Sequence, residues 1–231
     1  KRQDYANTVL SEYDKLKKEI DMIRASEEGT VELLVAYDIL RYLTPDCILE
    51  FQKKYPNVTF SYMEYPDRIV EKMLLDKEGN VALSIGPFAG DCFDMKSLKK
   101  CSLGLLVYEE HSLAKKREAT ILDLEGEPLY LENSSFKLNE FIQSRCWNRG
   151  FEPDIVFETN GFDLCYKMCR LKRGISVTID FVHEDMNTEG LVMIPFAEDD
   201  MIWEIGLLTL KDRAMESSVE KFYKYIENYN S

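Results

Sequence analysis

No run of apolar residues in this 231-residue chain approaches the ~20 needed to span a bilayer, and no basic stretch followed by an apolar one marks an export leader. Positive charge is also short. Lys and Arg number 29 against 42 Asp and Glu, a net charge of -13. Phosphate backbones are held by Lys/Arg surfaces, so this stretch is not expected to bind nucleic acid itself. The acidity is spread along the chain, and clusters such as Glu198–Asp199–Asp200 read as solvated loop. The six cysteines (Cys47, Cys92, Cys101, Cys146, Cys165, Cys169) form no compact framework, as expected of reduced thiols in a cytoplasmic protein. The first residue is Lys1 rather than methionine, and the chain is expected to be a piece of a longer protein.

Catalytic signatures are equally scarce. Gly86, Gly90, Gly104, Gly126 and Gly161 stand alone, so no phosphate-cradling glycine loop is formed, and no Gly-x-Ser-x-Gly elbow is present. His111 and His183 lie in polar surroundings without metal-ligand spacing, and each reads as a surface histidine. Cys165 and Cys169, four apart, share one helix face; core packing explains them better than a redox pair. No catalytic residue, metal or cofactor is expected.

What is present is periodicity. Val9, Tyr13, Leu16, Ile20 and Ile23 are spaced 4, 3, 4, 3, a heptad seam over residues 3–25. That seam fits either a terminal helix packed on its own domain or a helix that pairs with a second copy, with Glu27–Glu28–Gly29 ending it. From Thr30 strand and helix patterns alternate. Strands are expected at Val31–Ala36, Val58–Glu64 and Val81–Ile85, with helices near 39–54 and 66–76 between them. Gly86–Lys100 reads as irregular, followed by a strand at Leu103–Tyr108. A second set has strands at Pro128–Leu131, Ile155–Glu158 and Ile175–Ile179, with helices near 136–148 and 161–172. Strands Leu191–Pro195 and Ile202–Leu210 and a final amphipathic helix near 214–229 complete the chain, that helix carrying Val219, Phe222, Tyr223 and Ile226 on one face. Such alternation predicts an α/β protein with mainly parallel pairing and helical crossovers, in two lobes.

The residues then resemble a known family. Leu43–Thr44–Pro45, followed by Phe51–Gln52–Lys53–Lys54–Tyr55–Pro56–Asn57–Val58, is similar to the first lobe of the effector-binding domain of LysR-type transcriptional regulators. His111–Ser112–Leu113–Ala114, Ile121–Leu122–Asp123–Leu124 and Pro128–Leu129 resemble that family's next series. Gly150–Phe151–Glu152–Pro153 and Arg173–Gly174–Ile175–Ser176–Val177 fall where its later segments lie. Two departures stand out. Asn80–Val81–Ala82 replaces the family's usual Asp, which puts the hinge region in question, and the stretch from Gly174 to Asp180 lacks the family's proline.

The resemblance implies two Rossmann-like lobes joined by a hinge, in the manner of type 2 periplasmic binding proteins, preceded by a long N-terminal helix. Residues 1–28 would be the dimerising linker helix, 29–105 with 206–231 the first lobe, and 106–205 the second. It implies a small-molecule effector between the lobes, homodimers or tetramers, and promoter DNA contacted through an N-terminal helix-turn-helix domain that this chain lacks. A solute-binding protein of a transporter is the alternative with the same architecture.

Ligands of open α/β sheets sit beyond the strands' carboxyl ends, where helix N-termini offer free N–H groups. Three junctions have polar cap candidates: Tyr37–Asp38–Ile39, Asn133–Ser134–Ser135 and Thr159–Asn160–Gly161, the last with Asp163 three residues after Asn160. Carried over by resemblance, the effector would touch Asp38, Ile39, Pro66, Asp67, Ser134, Ser135, Thr178 and Ile179, with Thr159 and Asn160 joining from the third junction. Asp38 and Asp67 favour a ligand with an amine or several hydroxyls over a simple dicarboxylate; an aromatic acid stays open. The place of the peroxide-sensing cysteine of some LysR-type proteins holds Ser134 and Ser135 here, which disfavours a redox switch.

Overall fold

A computed structural model describes residues 29–88 and 91–229, together with Leu10, Glu12, Tyr13, Lys15 and Leu16. Those five isolated residues are helical and exposed, whereas Val9, Ile20 and Ile23 of the heptad seam lie outside the described residues.

The first strand, β1 (Gly29–Ala36), is almost continuously buried from Val31, as a strand with parallel neighbours on both sides must be. It runs into α1 (Leu40–Lys54), which is kinked where Thr44 takes φ 59° and ψ 146° ahead of Pro45. Pro cannot follow a helical residue without clash, so the chain breaks step there and restarts. β2 (Val58–Tyr65), α2 (Asp67–Leu75) and β3 (Val81–Gly86) complete a parallel set in the order β2-β1-β3. The second set comprises β5 (Pro128–Glu132), α3 (Lys137–Asn148), β6 (Asp154–Thr159), α4 (Phe162–Arg170) and β7 (Ile175–Ile179), again with parallel β5-β6 and β5-β7 pairs.

Two long strands join the sets, β4 (Phe93–Tyr108) and β9 (Ile202–Leu210). β4 pairs with β9 from Phe93 to Ser102, then from Leu103 onward with β7 on one side and β8 (Leu191–Pro195) on the other. β9 enters at Ile202 and leaves against β3. The chain therefore passes between the two parallel sets at two neighbouring places, tied by the Leu103 N–H donating to the Met201 carbonyl at 2.9 Å. α5 (Asp180–Asp185) follows β7 directly, and α6 (Ser217–Tyr229) lays Val219, Phe222 and Ile226 on the first set, with Phe222 edge-on to Phe51 at 5.0 Å.

The expected α/β class and strand–helix alternation are present, with three corrections. The sheet is mixed: β4 and β9 make antiparallel pairs with β3, β7, β8 and each other. The stretch expected to be irregular is strand from Phe93, because β9 supplies its backbone partners from a hundred residues away; its outward residues are polar and gave no alternating signal. α5 was not expected at all, being six residues with no apolar period. Asn80 does not disturb the region around β3. Its side chain accepts from the Glu32 N–H at 2.8 Å and donates to the Thr30 carbonyl at 3.0 Å, a pair of roles an aspartate cannot fill.

Candidate functional site

The carboxyl ends of both parallel sets converge on one tight cavity of about 20 Å³ that is partly open to the outside. Ala36 ends β1, Tyr37 and Asp38 come from the turn after it, and Asp67 from the start of α2. Glu132 ends β5 and Ile179 ends β7, so the opposite wall belongs to the second set. Tyr37, Phe136, Phe162, Phe181 and Trp203 supply an aromatic lining. A wider outer cleft shares Tyr37 and Asp38 with this cavity and adds Arg41, Glu64, Asn160, Asp163 and Asp185.

Three carboxyls stand in the inner cavity. Asp38 sits at φ 69°, a left-handed conformation that Asp tolerates better than most residues, and this turns its side chain toward Arg41, whose Nε donates at 2.5 Å. Burial raises its pKa, partly offset by that guanidinium. Arg41 also bridges to Asp163 at 2.9 Å and Asp185 at 2.6 Å, linking the first set to the second. Asp67, 4% exposed, accepts from the Lys137 backbone N–H at 3.0 Å and so caps α3 from the other side of the cavity. Burial pushes its carboxyl up to about 6, against the attraction of Lys137. The Lys137 ammonium turns away from the cavity to Glu71 at 2.5 Å and to the Ile85 and Pro87 carbonyls. Glu132 is 4% exposed, and its carboxyl has no hydrogen-bond or ionic partner among the described residues. Burial, with Asp38 and Asp67 nearby, raises its pKa well above the usual carboxylate range.

The cap readings need correcting. α1, α3 and α4 begin at Leu40, Lys137 and Phe162, each one to three residues later than the polar triplets suggest, and none has a side-chain cap at its own N-cap residue. The polar residues serve the preceding turns instead. Asn133 accepts from the Ser135 N–H at 2.8 Å, and the Thr159 hydroxyl donates to the Gly161 carbonyl at 2.9 Å. Local hydrogen bonding of Asn and Thr to nearby backbone competes with capping in this way. His111 is also not a surface histidine: it is buried, its Nδ1 accepts from the Leu113 N–H at 3.3 Å, and its Nε2 lies 3.4 Å from Glu127.

Among the residues singled out from the sequence, Asp38, Asp67 and Ile179 line the inner cavity, and Asn160 lines the outer cleft. Ile39 and Thr178 are buried beside it, Thr178 bonded to the Tyr166 hydroxyl at 3.0 Å, which in turn meets His183 at 3.0 Å. Pro66 is half-buried and is the residue before α2; Thr159 is buried, Ser135 half-buried and Ser134 exposed, and none of the four lines either cavity. Glu132, Phe136, Phe181 and Trp203 were missed. A glutamate ending a buried strand and aromatics on separate elements carry no local signal of convergence. Cys165 and Cys169 are buried, with thiols pushed up by burial, Cys165 to about 11, which favours packing over redox chemistry. Among the described residues no cluster of three His, Cys, Asp or Glu side chains is placed to hold a metal ion, and no helix is long and apolar enough to cross a membrane.

Residues 24–230 match the family model described as LysR substrate binding domain. The chain is 25% identical over 185 residues to the uncharacterized HTH-type transcriptional regulator YwbI of Bacillus subtilis, covering 80% of this chain and 62% of that protein. It is 23% identical over 229 residues to the transcriptional dual regulator GltC of Bacillus subtilis, covering 98% of this chain and 76% of that protein. The fold is similar to that of the Synechocystis CcmR regulatory domain in complex with 2-PG, at a TM-score of 0.76 and 16% identity, over 86% of this chain and 96% of that one.

Proposed function

The chain belongs to the LysR substrate binding domain family, and from that premise we propose that it is the effector-sensing part of a LysR-type transcription regulator. The two parallel sets are its lobes, residues 29–105 with 206–231 and residues 106–205, and β4 and β9 are the hinge strands. A small molecule binds in the cavity between them. The observation that carries this reading is the cavity's construction: its walls come from the carboxyl ends of strands in both sets, so a ligand that fits it contacts both at once. Such a ligand changes the relative free energy of open and closed arrangements by its differential affinity for them. In the full protein, that difference would be transmitted to promoter DNA through a helix-turn-helix domain outside this chain, in cytoplasmic homodimers or tetramers. The family match and the regulator relatives support this over a transporter's solute-binding protein. No catalytic role is assigned to the cavity.

A thermal-shift screen of amino acids, amines, aromatic acids, sugars and nucleosides tests the proposal. A ligand at about 100 times its dissociation constant adds ~2.7 kcal/mol of stability. Tyr37→Ala removes a wall of both cavities from a side chain that is 41% exposed, so it should abolish the shift while leaving the unliganded melting point nearly unchanged. A shift that survives Tyr37→Ala places the ligand elsewhere.

A further inference from the structure

We infer that the ligand of this cavity is a small organic cation carrying a primary ammonium group, seated against the Glu132 carboxyl within the aromatic walls. This rests on the cavity being a ligand site. The first argument is that the position where an anion would normally be welcomed is already filled. The N-terminus of α3 faces the cavity, and its free N–H groups would attract a carboxylate. Here Asp67 takes the Lys137 N–H, so the protein's own carboxyl occupies that position.

The second argument is charge balance. No Lys, Arg or His lines the inner cavity, while Asp38, Asp67 and Glu132 do. Arg41 is committed to Asp38, Asp163 and Asp185, and the Lys137 ammonium to Glu71 and two carbonyls. The outer cleft leading inward is acidic too, with Asp38, Glu64, Asp163 and Asp185 against Arg41. An incoming anion meets no uncommitted cation lining this path, while the carboxylates of the outer cleft draw a cation in.

The third argument is an unpaired buried carboxyl. Glu132 is 4% exposed, lines the cavity and has no partner among the described residues. A buried carboxyl without a partner is costly, and an ammonium supplies both the hydrogen-bond donors and the opposite charge it lacks. Trp203, 3% exposed, belongs to the same wall. Rings from Tyr37, Phe136, Phe162, Phe181 and Trp203 suit the rest of such a ligand, because their faces attract cations as well as apolar groups.

Trp203 also provides the readout. The chain has two tryptophans, and Trp147 is 55% exposed, so Trp147→Phe leaves Trp203 as the reporter. Benzylamine, benzyl alcohol and benzoate share a ring and differ in charge. Titrated into the Trp147→Phe chain, benzylamine is expected to change Trp203 fluorescence saturably, at concentrations at least about 30-fold lower than the other two. Adding Glu132→Gln should weaken benzylamine about 30-fold or more, as loss of a buried charge partner does. A melting curve of that double variant shows that it is folded. If benzoate or benzyl alcohol binds as well as benzylamine, the cation assignment falls and the cavity stands. Undiminished benzylamine binding in Glu132→Gln overturns the role of Glu132. If none of the three probes moves Trp203, the cation assignment fails, and the broad thermal-shift screen then decides separately whether the cavity binds anything.

Discussion

Glu132 and Asp67 are acids held in an aromatic enclosure, and their titration fixes a sign for the stability of the chain. The carboxyl of Asp67 rises from 3.8 to about 6 on folding, and that of Glu132 rises well above its ordinary 4.5, both mainly through burial. Between the unfolded and folded values, the folded chain keeps a proton that the unfolded chain has lost. Stability from these groups is therefore fully present below about pH 4 and is lost as pH rises through 6 and beyond. For Asp67 alone the change is on the order of 3 kcal/mol. Glu132→Gln keeps the volume and cannot ionise, so the variant should be more stable than the parent at neutral pH by about 1–3 kcal/mol, with a shallower decline toward high pH. Urea unfolding across that range measures it; a less stable variant with an unchanged slope would show that Glu132 is well solvated or already paired. Asp67→Asn keeps an acceptor for the Lys137 N–H and should flatten the window between about pH 4 and 6, whereas Asp67→Ala loses the cap as well, at about 1 kcal/mol.

At the scale of elements, most strands and helices were legible because their apolar periods are strong: β1, β3 and β7 are almost wholly buried, and α6 shows its stripe of Val219, Phe222 and Ile226. What failed to show was whatever depends on a distant partner. The first half of β4 is strand because β9 completes its hydrogen bonds, and α3 is capped by Asp67, seventy residues upstream, rather than by the Asn133–Ser135 triplet beside it. The burial of Glu132 was invisible for the same reason, since a strand-ending glutamate reads as solvated unless both lobes are placed around it. Gly174, noticed in sequence only as part of a motif, has a physical reason. A Cβ there would run into the Pro128 carbonyl oxygen and come within 2.9 Å of the Tyr130 ring, where β7 lies parallel to β5. Gly174→Ala should cost about 1–3 kcal/mol in equilibrium unfolding. A neutral substitution would mean that this strand pair has room to spread.

For the whole molecule, the sequence disclosed two alternating sets, and the resemblance supplied how they face each other and part of the cavity's acidity. Asp38 and Asp67 pointed toward acidity, but Glu132 and the aromatic walls emerge only when the carboxyl ends of both sets are brought together. Among the described residues, ties across the cavity include Asp67 to α3, Lys137 to Glu71 and to the Ile85 and Pro87 carbonyls, Arg41 to Asp163 and Asp185, and Arg68 to Glu140. Those on the surface are worth about 0–1 kcal/mol each, so the chain's two passages between the sets, at Ser102–Leu103 and Met201–Ile202, are left to set how the lobes move. The most direct measurement is hydrogen exchange of the chain with and without the compound that raises its melting temperature most. Exchange should slow together at residues 36–38 of the first lobe and at residues 132–138 and 179–181 of the second. Slowing confined to one lobe, or to surfaces away from these segments, would contradict a ligand held between them.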